Sequence, residues 1–583
     1  HDDGPNEADP VDLVVTFKSN QDPAKKQTIL SPTAGETVFP LAGARTTVFS
    51  IIANGREGPA QITVAARGPE EHTVGLGQTT ATLVPHNLPN ADVTLRPTDF
   101  QINTEFPNSQ IFTTGPTARQ VAADAKGNFI VTWEDLECGG GGRCDIFARL
   151  FDARAKARLS GSRGDKKEFR ANPTNSFYDY PAVAMKANGA YMLAASTQST
   201  QTSPLHVVVR PFLADGKPNP AVSDEVTVNT GTLDAVNPDV AVLTDGSSVV
   251  CWTEDFKDQG TKSYKVLCRL FDDNATPLPG AGGLREPFTA TTVSPSNVVA
   301  KLVSVAVAAG PKNSFMVVWA DRCSTGANCW NVRGRIYSDT AKSFTTIIDI
   351  STPKTNKTGA LDVAGLPYGY LVAWTDQISG NPADGTDILA RRFGDKGVPL
   401  EDPFRLNTSV SDNQRVPAIA VLPTGQILVA WETQDNSQDP GGGIRGRILL
   451  GNGLPVGNDF ALNTTIAGTQ DSPSLAPISQ DAFIVVFRDG SKLGRDKIET
   501  GIRGRLIYPE YRPTGGGVGF LCTPSEAGSC GSGLRCQIVT TPEKAAGEPR
   551  CINTCKEHGA CVNGGRCLKL AGNSQFVCIY QDR

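Results

Sequence analysis

From Pro417 the chain alternates short apolar runs with polar turns: PAIAV, PTGQ, ILVAWET, QDNSQDPGG, GIRGRILL, GNGLPVG and DFALNT. The apolar runs are four to eight residues long and rich in Val, Ile, Leu and aromatics. Gly, Pro, Asn and Asp bound them. That pattern predicts four strands and one antiparallel sheet. The second run has a marker, an apolar stretch ending in tryptophan. Near copies place it at Trp133, Trp252, Trp319, Trp374, Trp431 and Phe487, and a degenerate copy, YMLAAST, puts Ala195 in the same slot. The spacings are 62, 57, 67, 55, 57 and 56 residues. Seven units of this period, with four strands each, predict an all-β, seven-bladed β-propeller.

The fourth strand checks this independently. Its copies are EFRAN at Glu168, EVTVN at Glu225, PFTAT at Pro287, IIDIS at Ile347, PFRLN at Pro403 and DFALN at Asp459. The seventh unit ends at GIRGRLIY without one. An extra copy, DFQIN, stands at Asp99–Asn103 before the first unit. This N-terminal strand is expected to complete the last sheet and close the ring, leaving no unpaired edge there.

The marker tryptophans read as filler between neighbouring blades. The acids that follow (Asp135, Asp255, Asp321, Asp376) are expected to pair across the ladder with third-strand arginines such as Arg149, Arg269, Arg333, Arg391, Arg445 and Arg503.

The flanks differ from the repeat. Residues 1–10, HDDGPNEADP, read as a flexible acidic tether. Residues 11–98 hold six strand-like runs and suggest an immunoglobulin-like β-sandwich, without that fold's cysteine and tryptophan markers. The propeller is expected over 99–512, and a cysteine-rich module over 513–583. That module carries Cys522, Cys530, Cys536, Cys551, Cys555, Cys561, Cys567 and Cys578. Two four-cysteine halves with two disulfides each are expected, their pairing left open. Zinc is the weaker reading, with gaps too wide and only His558 to help. In the propeller Cys138 with Cys144, Cys323 with Cys329, and Cys251 with Cys268 are expected to bond.

Charge narrows the partners. The 55 basic residues nearly balance the 60 acidic ones, which gives no electrostatic case for nucleic acid. No stretch reaches the roughly 18 apolar residues needed to span a bilayer. Fourteen cysteines in close pairs point to an oxidising compartment. The expectation is a protein secreted or held at the cell surface after loss of a signal peptide, with a lipid anchor upstream of His1 left open.

Loops between second and third strands vary most and emerge on one face, where binding evolves on a rigid scaffold. Candidate contacts there are Trp330, Asp376, Asp384, Asp435 and Asp439. No cofactor is expected. Calcium is a secondary reading in DQISGNPADGTD and QDNSQDPGGG, which match neither known calcium-loop spacing. RGD at Arg163–Asp165 and a copper site on His1 with His72 or His86 are weaker readings still. A catalytic search finds no GxSxG, HExxH, phosphate loop or dinucleotide fingerprint. The S-x-D-x-G-x-T-W box of sialidase-type propellers is also absent.

The G-x-F/I-x-V-x-W, I-x-G/A-R and F-x-L-N strands over Asp99–Tyr508 resemble repeat regions of large exported bacterial proteins, of the style of myxobacterial surface proteins. CKEHGACVNGGRC at Cys555–Cys567 resembles EGF-like modules, without their closely spaced C-x-C. The resemblance implies secretion and a surface or matrix role, and carries no catalytic residue. The expectation is a non-enzymatic binding or scaffold protein with a protein or glycan partner. The alternatives are a carbohydrate-active enzyme (glycoside hydrolase or lyase) with paired acids in the channel or on the loop face, and a structural subunit of an extracellular filament or complex. A pocket holding two carboxylates at hydrolase spacing, at least one of them with a raised pKa, would separate the enzyme from the others.

Overall fold

The computed structural model of the chain describes most of residues 98–509, and the strand backbones within residues 12–97 and 535–579. Seven antiparallel sheets follow one another along residues 99–507. Each runs inner, second, third and outer strand. Blade 6, for example, is Gln414–Val421, Ile427–Thr433, Gly443–Leu449 and Pro455–Ala461. The inner strands contact each other in cyclic order, the seventh meeting the first, so they surround a central channel.

The ring closes as the repeat count predicts. Phe100–Gln101 pairs antiparallel with the third strand of blade 7, Gln101 facing Arg503 and Phe100 facing Gly504. Asp99 fastens the join, its carboxylate accepting from the Thr464 and Thr465 amides at 2.9 and 2.8 Å.

Each marker fills the seam toward the preceding blade. Trp133 packs against Ile484 and Val486, Trp252 against blade 2, and Trp319, Trp374, Trp431 and Phe487 follow in turn, all at most 1 % exposed. The seam between blades 1 and 2 carries only Ala195 in that slot, and Phe169, Tyr178, Tyr191 and Phe212 fill the volume instead.

The other repeat residues also have structural reasons. The asparagine ending F-x-L-N accepts the backbone N–H of its own third strand: Asn172 from Ile146, Asn229 from Val207, Asn407 from Ile388 and Asn463 from Ile444, at 2.8–3.0 Å. Asn103 of the closing strand does the same for Ile502 at 2.7 Å. The small third-strand residue faces the large outer-strand one, as in Gly446 opposite Phe460 and Ala390 opposite Phe404. The first-to-second-strand turns place glycine at positive φ. A Cβ on Gly127 (φ 81°) would lie 1.7 Å from the Ile478 carbonyl oxygen.

The arginines correct one expectation in part. In blade 7 Arg503 does pair with Asp489, the acid two residues after the marker Phe487, at 2.6 Å, but in blade 5 Arg391 and Asp376 have other partners. Register places Arg391 opposite Val372, and Asp376 opposite Asp387. Other third-strand arginines donate to outer-strand carbonyls of the preceding blade: Arg210 to Ala171 at 2.6 Å, Arg269 to Val228 at 2.8 Å, Arg447 to Leu406 and Arg505 to Leu462 at 2.9 Å. Each closes a blade seam around its rim.

Cys251 and Cys268 face each other across blade 3 and are bonded, with Cα atoms 4.1 Å apart. The side chains of Cys138, Cys144, Cys323 and Cys329, the tail disulfides and RGD at 163–165 lie outside the described residues. Within 11–98 the described strands form one antiparallel sheet, ordered Gln27–Leu30, Asp12–Ser19, Gly58–Arg67, Thr73–Leu83, Arg96–Pro97. The second sheet of a sandwich is not among the described residues. The tail strands Arg535–Thr541, Lys544–Cys555, Phe576–Ile579 and Arg566–Lys569 also form one antiparallel sheet. Among the described residues no helix is long and apolar enough to cross a membrane.

Candidate active site at the channel mouth

An inner strand starts on the face that carries the second-to-third-strand loops, so the N-terminal ends of all seven inner strands ring one channel mouth. Four of them bend there in the same way. The residue before a proline takes positive φ at Tyr180, Asn237, Val416 and Ser472, with φ of 53–56°, and the ladder register shifts around it. Such a bulge turns an N–H out of the ladder. At three of the four, the residue after the marker in the preceding blade accepts it: Thr375 Oγ1 from Val416 at 3.3 Å, Glu432 from Ser472 at 2.8 Å, and Glu134 from Tyr180 at 2.8 Å.

Two of these seams therefore hold a pair of acids. At the seam between blades 6 and 7 the pair is Glu432 and Asp471, and two arginines neutralise it. Arg415, opposite Glu432, donates to it at 2.7 Å, and Arg488, opposite Asp471, forms a two-pronged ion pair with it. At the seam between blades 1 and 2 the pair is Glu134 and Asp179. There Ile111 stands opposite Glu134, and Ser196 opposite Asp179. The Tyr180 N–H is shared between the two carboxyls, at 2.8 Å to Glu134 and 3.0 Å to Asp179. The two carboxyls thus meet on one backbone N–H, and Glu134 acts directly on Asp179. Burial pushes Asp179 up, while the hydrogen bonds from Glu134 and the Tyr180 amide pull it back only in part. Tyr180 is half-buried beside them, and burial together with the two acids pushes its phenol up to about 12.

Below the mouth a second cluster crosses the channel. Arg119 of blade 1 reaches Asp362 of blade 5 at 3.2 Å and the Val363 carbonyl at 2.6 Å, and lies 3.8 Å from Asp239 of blade 3. Asp239 and Asp362 hold the same register position in their blades, each opposite the residue just before the marker tryptophan, Cys251 and Ala373. Each also accepts the next blade's inner-strand N–H, from Val307 and from Ile419, both at 2.8 Å. Burial pushes Asp239 up to about 6, against the pull of Arg119. These acids are committed to holding blades and Arg119 together.

The sequence-predicted contacts scatter. Asp376 is fully buried, accepting from Trp374 Nε1 at 2.9 Å and the Gln377 amide at 2.7 Å, and burial pushes it up to about 6. Asp435 accepts from the Ser409 hydroxyl at 2.7 Å, and Asp439 from Asn463 Nδ2 at 2.7 Å. Trp330 opens a third strand opposite Arg322, and its side chain, like Asp384, lies outside the described residues. Among the described residues no group of three or more His, Cys, Asp or Glu side chains is placed to hold a metal. Residues 378–384 and 436–438 of the two loops read for calcium are not described. Sequence reasoning missed Glu134, Asp179 and Tyr180. The signal was present in the degenerate unit, where YMLAAST replaces the tryptophan with Ala195 and follows it with Ser196.

No family model and no curated protein matches the chain. Solved structures share its propeller architecture at low identity. One is an α-L-arabinofuranosidase from Fusarium graminearum, at 10 % identity and TM-score 0.38, covering 58 % of this chain and 96 % of that one. Another is the NanB sialidase from Streptococcus pneumoniae, at 8 % and 0.37, covering 73 % and 92 %. A polysaccharide lyase matches at 8 % and 0.40, covering 70 % and 93 %. The expectation of a non-enzymatic binding or scaffold protein is corrected here. The solved structures that the chain resembles are by name glycan-cleaving enzymes rather than binding or scaffold proteins.

Proposed function

We propose that this chain is an exported carbohydrate-active enzyme, a glycoside hydrolase or polysaccharide lyase, whose acid–base unit is Glu134 with Asp179. The observation that carries this reading is the meeting of the two carboxyls on the Tyr180 N–H at the channel mouth. Carboxyls are ordinarily ionised at neutral pH. A pair in contact cannot both ionise cheaply, so one keeps its proton. That proton is available to the glycosidic oxygen as its bond to carbon breaks. The pair is then anionic, and takes a proton either from the attacking water in hydrolysis or from a ring carbon in elimination. Two carboxyls that meet on one N–H do not stand on opposite sides of a sugar, as schemes with separations of about 5–9.5 Å require, so the pair works as one acid–base unit. Tyr180 offers an aromatic face and a neutral hydroxyl beside it, which suits a sugar ring. The buried Cys251–Cys268 bond fits export to an oxidising compartment.

The test is cleavage by the full chain of neutral, amino-sugar and uronic-acid polysaccharides. New reducing ends report hydrolysis, and absorbance from unsaturated ends reports elimination. Glu134→Gln and Asp179→Asn are each expected to lower the rate by about 10²–10⁴-fold without loss of fold. Failure of the wild type to cleave any of them, or a full rate in Glu134→Gln, removes this reading.

A further inference from the structure

Repeats allow one blade to serve as the control for another. The ladder places Asp179 opposite Ser196 and Asp471 opposite Arg488, at the same step of two equivalent sheets. Directly opposed residues in an antiparallel pair present their side chains on the same face. Arg488 uses this to bond both oxygens of Asp471. Ser196 is fully buried, and its hydroxyl has no partner among the described residues. A short neutral side chain therefore occupies the place from which a guanidinium would seize Asp179.

We propose that Ser196 is a tuning residue of the acid pair: by keeping the step opposite Asp179 free of positive charge, it preserves the shared proton at working pH. This rests on the reading of Glu134 and Asp179 as the acid–base unit, and names what sets the pH range of that unit. The surrounding charges agree with it. The group acting on Asp179 from blade 1 is Glu134, with the Tyr180 amide from its own strand. The cations of the adjoining strands are turned elsewhere. Arg119 goes to Asp239 and Asp362, Arg149 to Glu168 and the Ile102 carbonyl, Arg210 to the Ala171 carbonyl, and Lys186 to Asp273. The acid of the next inner strand, Asp239, faces Arg119. An opposite charge brought within about 4–6 Å lowers a carboxyl pKa by about 1–3 units. An arginine at position 196 would thus ionise both acids and leave no proton to donate.

The experiment follows carboxyl protonation residue by residue, by carbodiimide labelling read by mass spectrometry across pH. It uses the full chain as wild type, Ser196→Ala and Ser196→Arg. In the wild type Asp179 is expected to remain protonated above the ordinary carboxyl range. Ser196→Ala, equally neutral, should leave that midpoint in place. Ser196→Arg should move it down by about 1–3 units, and shift the alkaline limb of any cleavage–pH profile with it. Should the arginine variant fail to fold, Ser196→Lys makes the same test with a more compact cation and the same expected direction. A wild-type Asp179 midpoint within the ordinary carboxyl range, or a midpoint that moves as far with alanine as with arginine or lysine, overturns the role of Ser196. The labelling needs no substrate, so it can fail or succeed apart from the glycan reading.

Discussion

At the scale of single residues, burial decides what each acid of the repeat does. Asp376 follows its marker tryptophan and reads, in the sequence, as a surface acid. In the fold it is inaccessible, and it accepts one bond from Trp374 Nε1 and one from the Gln377 amide. Those bonds do not offset the desolvation that lifts it to about 6. The sign of the consequence is fixed. A carboxyl whose folded pKa lies above its unfolded value near 3.8 favours the folded state below that value, and the contribution is lost as pH rises through 6. Wild type should therefore exceed Asp376→Asn in stability by more at pH 4 than at pH 7, by about 2–3 kcal/mol from a shift of roughly two units. Denaturant unfolding of both proteins at the two pH values measures this. A difference that does not change with pH would show that Asp376 is not raised.

At the scale of the element, the strand at Phe100–Gln101 shows how much was legible. It was readable because its pattern, D-F-Q-I-N, duplicates a strand that six units have and the seventh lacks. Each letter has a cause in the fold: phenylalanine over a glycine, and asparagine on a third-strand amide. The same glycine makes the join testable. A Cβ on Gly504 would come within 2.9 Å of Ile102 Cδ1 and 3.3 Å of Phe100 Cζ. Gly504→Val should push the closing strand outward, at a cost of about 1–3 kcal/mol typical of overpacking. Hydrogen exchange at Ile102, whose amide bonds the Ile502 carbonyl at 2.8 Å, should quicken well before exchange in blade 4. Uniform quickening in both places would mean that the ring does not open at this seam. The acid pair was harder to read. Glu134 and Asp179 lie 45 residues apart in different units, and neither stands out beside the copies Glu432 and Asp471. What separates the two pairs is the residue opposite each acid, and opposition is a property of register. The arginine expectation held for Arg503 with Asp489 and not for Arg391 with Asp376, for the same reason. Spacing along a strand does not say which neighbouring blade a long side chain will reach.

At the scale of the whole molecule, Arg119 is the side chain that makes seven sheets depend on one another across the channel rather than around it. Blades 1, 3 and 5 are not neighbours, yet one guanidinium lies against carboxylates of the second and third of them. Those carboxylates in turn hold the amides of blades 4 and 6. Removing the cation leaves two buried acids facing each other with their strongest stabilising charge gone. Breaking a buried pair from one side costs about 3–5 kcal/mol, so Arg119→Ala should destabilise the propeller by that order at neutral pH. Burial already raises both acids against the pull of Arg119, and without that pull they rise further. A raised carboxyl regains its stability as pH falls through its folded value. The deficit of the variant should therefore shrink on going from pH 7.5 to pH 5, as the two acids take up protons. Denaturant unfolding of wild type and Arg119→Ala at both pH values reads the two deficits directly. A deficit that stays constant would place the contribution of Arg119 in its 2.6 Å bond to the Val363 carbonyl rather than in its charge. A deficit that grows at pH 5 would mean that the acids are not the groups it compensates.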